Sequence, residues 1–141
     1  MYLLDTVVLS QLRKLRRYPT LAAWFAQQRM GDLFVSVISI AEIERGIARQ
    51  GKIDPVFAAA LASWLDKVLN VYRERILPFD LQAARRWGQL SSAIGNQSAD
   101  LMIAATALEH GLTVVTRNVS DFAPAGVAVL DPFTPHAGKS A

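Results

Sequence analysis

The sequence predicts an α/β domain with a mainly parallel sheet of four to five strands flanked by helices. Three observations predict it. Short apolar runs rich in β-branched residues recur along the chain, and longer segments with helical spacing lie between them. Glycine and proline fall singly at turns, with no repeat, low-complexity block or linker to divide the chain. Strand and helix in alternation is the pattern of a parallel sheet covered by its crossovers.

The first strand is "YLL", ended by Asp5. Helical spacing predicts helices over 7–16 and 19–30, the second carrying Trp24 and Phe25. "LFVSV" at 33–37 is the second strand, and a helix over 39–49 follows it, opened by an S-x-x-E capping box of Ser39 and Glu42. Helix 55–73 carries Trp64 and Leu65 and leads into "RILPF" at 75–79. Asp80 opens a helix over 80–94 that includes Trp87; the helix over 98–110 ends at His110 and Gly111. "LTVV" at 112–115, a short turn at 118–122 and "VAVL" at 127–130 complete the order. The five named aromatic and leucine positions sit on amphipathic helices and read as packing residues.

The 141 residues are enough for one domain with a hydrophobic core of its own. No cysteine is present, which removes disulfides, thiolate zinc sites and cysteine nucleophiles together. Of the two histidines, His110 suits a helix C-terminus and His136 lies in a polar tail, so neither suggests a ligand. No run is long enough for a membrane span, and "MYLLD" lacks the start of a secretion signal; the expected location is the cytoplasm. Fifteen Lys and Arg against 12 acids give a formal charge of +3, densest in "RKLRR". That balance permits binding to a polyanion without requiring it. The 52% apolar content is high enough to expect a partner-covered surface.

In a parallel α/β sheet, strand ends and the starts of the helices that follow them share one rim. Asp5 follows the first strand, Glu42 lies in the first turn of the predicted helix after the second, Asp100 in the first turn after Ser98, and Asp121 just past the fourth strand. Asp80 meets the same positional rule, while Glu44 should face away from Glu42. Each acid has a structural explanation by itself: Asp5 can cap its helix, Glu42 belongs to the capping box, Asn118 and Asp121 form a looser version, and Asp100 suits a helix N-terminus. Carboxylates crowded on one rim repel, so they either take up protons or hold a cation. Oxygen ligands without histidine or thiolate favour Mg²⁺ or Mn²⁺, which need only one or two direct carboxylates. Such a site suits phosphodiester hydrolysis.

The stretches "LLDTVVLS", "SVISIAEIERG", "ADLMIAATALEHGLTVVTRN" and "VSDF" resemble the PIN-domain ribonucleases, in particular the VapC toxins of bacterial toxin–antitoxin pairs and their FitB-like relatives. The resemblance runs from the first strand to about Pro132, so residues 1–133 are expected to form the PIN domain and 134–141 a short polar tail. It implies a metal-dependent endoribonuclease that cuts structured RNA, commonly transfer or ribosomal RNA. Asp5, Glu42, Asp100 and Asp121 are the implied catalytic acids, and Asp5 and Asp100 the metal contacts. Asn118 shares the fourth place with Asp121, and Thr116 lines the site. The third strand falls at a sheet edge, which leaves Asp80 a structural cap. The implied partners are a second copy of the chain, a small inhibitory antitoxin, RNA, and operator DNA reached only through the antitoxin. Arg13, Lys14, Arg16 and Arg17 are the dense cationic group available to steer RNA.

Relatives typically read "LLDTNVLS" where this chain has Val7. Valine cannot make the hydrogen bonds of an amide, and losses of that kind weaken metal affinity or activity by about 10- to 100-fold. Val7 therefore sustains a second reading, a catalytically weakened toxin-like module acting through an antitoxin on operator DNA. Phosphatases of the haloacid dehalogenase type want an aspartate at the position of Val7, and receiver domains want paired acids near the first strand; neither pattern is present.

Overall fold

A computed structural model describes residues 1–135. Five parallel strands, β1 (Tyr2–Leu4), β2 (Leu33–Ser36), β3 (Ile76–Leu77), β4 (Thr113–Val115) and β5 (Val129–Leu130), form one sheet in the order β3-β2-β1-β4-β5. Among the described residues, seven α-helices connect or flank them: α1 (Thr6–Gln11), α2 (Pro19–Ala26), α3 (Val37–Gly51), α4 (Pro55–Tyr72), α5 (Leu81–Ile94), α6 (Ala99–His110) and α7 (Val119–Phe122). The expected α/β class and parallel sheet are present. The tail at 134–141, with His136, lies almost wholly outside the described residues.

β1 sits at the centre, and its register explains how two cores form from three residues. Leu4 pairs with Val35 and Val115, while Leu3 pairs with Phe34 and Val114. Alternation sends each set to one face. On the Leu4 face, Val8, Leu9, Leu21, Trp24, Leu65, Val68 and Tyr72 pack from α1, α2 and α4. On the Leu3 face, Leu101, Ile103, Ala104 and Phe122 pack from α6 and α7. Trp24, read from sequence as a packing residue, is core: it meets Tyr2 edge-on at 5.2 Å between ring centres.

Several boundaries differ from expectation, and four of the differences have a local reason. The helix expected over 7–16 stops at Gln11 and tightens into a 3-10 segment, Leu12–Arg17, where Lys14 leaves helical geometry at φ −129° and ψ 41°. Arg13 would meet Arg16 and Arg17 at helical i,i+3 and i,i+4 spacing, where like charges repel. Arg13 instead lies over the rings of Phe57 and Trp64, at 5.6 and 5.8 Å, so it braces α4 more than it serves the surface. The helix expected over 19–30 ends at Ala26, where the Gln28 side chain donates to the Trp24 carbonyl at 3.0 Å. α3 begins two residues early, because the Ser36 hydroxyl caps it by accepting from the Ile38 N–H at 3.0 Å. That places Glu42 in the second turn, and Ser39 is an interior helix residue rather than the first half of a capping box. Strand "RILPF" shrinks to Ile76–Leu77, since Pro78 has no N–H to give a ladder.

Asp80 caps α5 by accepting from the Ala83 N–H at 3.0 Å, next to the edge strand β3. His110 closes α6 ahead of Gly111, whose φ of +64° is the left-handed turn that glycine adopts without strain.

Phe122, fully buried, locks α7 onto the Leu3 core directly beside Asp121. Phe122→Ala is expected to cost about 4 kcal/mol of unfolding free energy in urea titration, within the range for emptying a buried aromatic site.

Candidate active site

Asp5 occupies the joint between β1 and α1. Its backbone is extended, at φ −65° and ψ 157°, and its N–H continues the sheet by donating to the Val115 carbonyl at 2.9 Å. One carboxylate oxygen accepts from the Thr6 N–H at 2.7 Å, which caps α1; the other accepts from the Thr116 hydroxyl at 2.9 Å. Thr116 follows β4, the neighbour of β1, and its hydroxyl oxygen in turn accepts the Asn118 N–H at 2.9 Å. Cap and site residue are thus one role, the same carboxylate serving both.

These bonds do not offset burial. Asp5 is 2% exposed. Desolvation raises its pKa from 3.8 to about 6; the Thr116 bond opposes the rise, the Asp100 charge adds to it, the Thr6 bond opposes it, and Glu42 adds again.

Glu42 is held from the other flank. The Thr6 hydroxyl lies 2.6 Å from Glu42 Oε1 and 2.8 Å from the Ser39 hydroxyl. A hydroxyl has one proton, so Thr6 donates to the carboxylate, where the bond is charge-assisted, and accepts from Ser39. Thr6 and Ser39 were not among the site residues expected from sequence. The signal was their place beside Asp5 and Glu42 in the quoted stretches, masked for Ser39 by its apparent capping role.

Asp100 lies in the first turn of α6 behind Ser98. Its pKa is raised, first by burial and then by the charges of Asp121 and Glu42. Asp121 is the third residue of α7, and its N–H donates to the Asn118 carbonyl at 3.0 Å; the Asn118 side chain makes no capping bond, so the looser capping pair is absent. The repulsions tie the four acids together: Asp5 feels Asp100 and Glu42, and Asp100 feels Asp121 and Glu42. Asp80 enters neither set.

Among the described residues, the ion pairs are Arg29 with Asp32 and Arg86 with Glu109, so no cation neutralises the four acids. Nor do three carboxylates close into a ready-made metal cage. The convergence expected from sequence is therefore electrostatic and open. Such a donor set fits a hard ion that keeps most of its waters and takes one or two carboxylates directly. A cavity of about 870 Å³ lies elsewhere, between α2 and β5, lined by Tyr2, Trp24, Gln27 and Leu130 among others.

The fold is an α/β domain with a five-stranded parallel sheet and a rim of acids linked through Asp100, and residues 2–124 match the PIN domain; this chain belongs to that family. Within it, the chain stands with the VapC- and FitB-type toxins. It is 36% identical over 142 residues to VapC ribonuclease Y4jK of Sinorhizobium fredii, covering 96% of this chain and 99% of that protein. It is 35% identical over 140 residues to toxin FitB of Neisseria gonorrhoeae, covering 94% and 99%. The crystal structure of FitAcB from Neisseria gonorrhoeae superposes with a TM-score of 0.84 at 33% identity, covering 96% of this chain and all of that one. FitAB bound to an IR36 DNA fragment gives a TM-score of 0.79 at 33% identity, covering 96% and 97%.

The raised Asp5 pKa fixes a pH dependence. The unfolded chain loses this proton near 3.8 and the folded chain near 6, so stability falls as pH rises through that window. Above it the penalty is on the order of 3 kcal/mol. In EDTA, Asp5→Asn should therefore melt higher than wild type at pH 8, with the difference vanishing near pH 4; a differential scanning calorimetry series across pH checks this.

Proposed function

We propose that this chain is the toxin of a toxin–antitoxin pair, an endoribonuclease that hydrolyses phosphodiester bonds of structured RNA, such as transfer or ribosomal RNA, with Mg²⁺ or Mn²⁺. The observation that carries this reading is Asp5: a carboxylate held by two hydrogen bonds, its pKa raised by burial and by the charges of Asp100 and Glu42, with no cation among the described residues to pair them. Asp5 and Asp100 would hold the ion. Bound there, it would orient the scissile phosphate, lower the pKa of an attacking water and offset developing negative charge.

The chain's own residues do the positioning. Thr116 fixes one Asp5 oxygen, leaving the carboxylate plane set by the two strands it joins. Thr6 and Ser39 fix Glu42, which with Asp121 orients water; Asn118 shares the fourth place with Asp121. Cleavage would leave a 3′-hydroxyl and a 5′-phosphate.

An apolar groove of about 220 Å³, lined by Leu12, Leu15, Phe25, Met30, Trp64 and Val71 among others, supports the antitoxin as a partner. The chain would work in the cytoplasm as a homodimer and reach operator DNA through the antitoxin, a reading supported by its likeness to FitAB bound to an IR36 DNA fragment. Among the described residues, no helix is long and apolar enough to cross a membrane.

Purified protein should cleave a hairpin RNA only with Mg²⁺ or Mn²⁺. Asp5→Asn and Asp100→Asn should each reduce cleavage below detection while retaining the fold by circular dichroism. Metal-independent cleavage, or full activity in both variants, would refute the proposed site.

Val7 favours the second reading, a weakened module. It sits in the first turn of α1, 37% exposed, where it can offer no hydrogen bond. Val7→Asn is expected to tighten Mn²⁺ binding by about tenfold in calorimetric titration and to raise the cleavage rate in parallel. Antitoxin binding without any metal-dependent cleavage by wild type would decide for the module.

A further inference from the structure

Three arginines lie over aromatic rings, and their surroundings differ. Arg13 has its Nε buried without a partner between Phe57 and Trp64. Arg75, over Tyr72, spends its donors on the carbonyls of Met30, Leu33 and Val71. Arg117 is exposed, and its guanidinium donates to no acceptor among the described residues. Its carbon stands 3.8 Å from the centre of the Phe133 ring and 5.6 Å from that of Tyr18. Those rings meet edge-to-face at 5.5 Å and 89°, so each limits the other's rotation and both brace the cation.

Arg117 also follows Thr116, which bonds Asp5, and precedes Asn118, whose N–H bonds Thr116. A cation with its donors unspent thus leaves the chain one residue from Thr116, which bonds Asp5, and is anchored on its two rings. Four carboxylates repel an incoming polyanion, and an ion between them offsets only the phosphate it touches. The adjoining phosphate needs its own cation. A braced guanidinium loses little rotamer freedom on binding and presents a fork that matches two phosphate oxygens.

We propose that Arg117, stacked on Phe133 and Tyr18, is the clamp for an RNA phosphate neighbouring the cleaved bond, an inference that rests on the ribonuclease reading above. It is a substrate-binding residue distinct from the "RKLRR" cluster. Phe133 and Tyr18 act through it as positioning residues.

The test measures binding of a fluorescein-labelled, mixed-sequence hairpin RNA by anisotropy from 50 to 200 mM salt, with Asp5→Asn as the non-cleaving parent. Adding Arg117→Ala should weaken binding about tenfold and flatten the log–log salt slope by about 0.7, one phosphate's worth. Arg117→Lys should keep the slope and recover only part of the affinity, because a point charge is not a fork. Phe133→Leu should weaken binding about threefold with the slope unchanged. In the cleaving background, Arg117→Ala should raise KM by a similar factor and move kcat less than about twofold, since the lost contact is made equally before and during reaction. Affinity and slope unchanged in Arg117→Ala, while wild type still cleaves the hairpin with Mn²⁺, would overturn the clamp and leave the ribonuclease reading standing. No cleavage by wild type and no RNA binding by the parent would overturn both.

Discussion

The hydrogen bond from Thr116 to Asp5 joins the ends of two adjacent parallel strands, and the rim is organised around it. It exists because Leu4 and Val115 are paired in register, so the next residue of each strand emerges at the same height. A one-residue slip would turn Asp5 into the apolar face and Leu4 out to the rim. The sheet therefore fixes the site, and the site residue Asp5 completes the sheet through its backbone N–H to the Val115 carbonyl.

Energetically the two halves of this arrangement oppose each other. The Leu3 and Leu4 layers bury their neighbours on both faces and supply the stability. The rim draws on it, because burial and like charge hold Asp5 and Asp100 above their ordinary titration range. An ion that binds only the folded chain would reverse that debt and stabilise the protein by mass action. A protein built this way is least comfortable when folded and metal-free at neutral pH.

The sheet was legible in the sequence because its strands are short apolar runs separated by long helices, which leaves few topologies. Asp5, Asp100 and Asp121 stand close to a strand end or a helix start, which is what drew attention to them in the sequence, while Glu42 lies a turn further into its helix than its apparent capping box suggested. The helix starts were harder to read. Ser36 and Ser39 are both competent caps, and only the point where β2 stops decides between them. Lys14 and its neighbours have good helix propensity one by one, and the break at that point comes from their mutual repulsion together with the ring stacking of Arg13. Thr6 and Arg117 carried no periodic signal. Their roles come from long-range pairing: Thr6 with Glu42, Arg117 with Phe133.

Arg75 bears on how the sheet ends. β3 is two residues long and pairs only with Val35 and Ser36, so the beginning of β2, paired with β1 on one side, has no strand beside it on the other. The guanidinium of Arg75 fills that gap by taking up the Leu33 and Met30 carbonyls. Those acceptors would otherwise be an open template for a strand from another molecule. One side chain thus covers backbone acceptors that a foreign strand would need in order to add to this edge of the sheet.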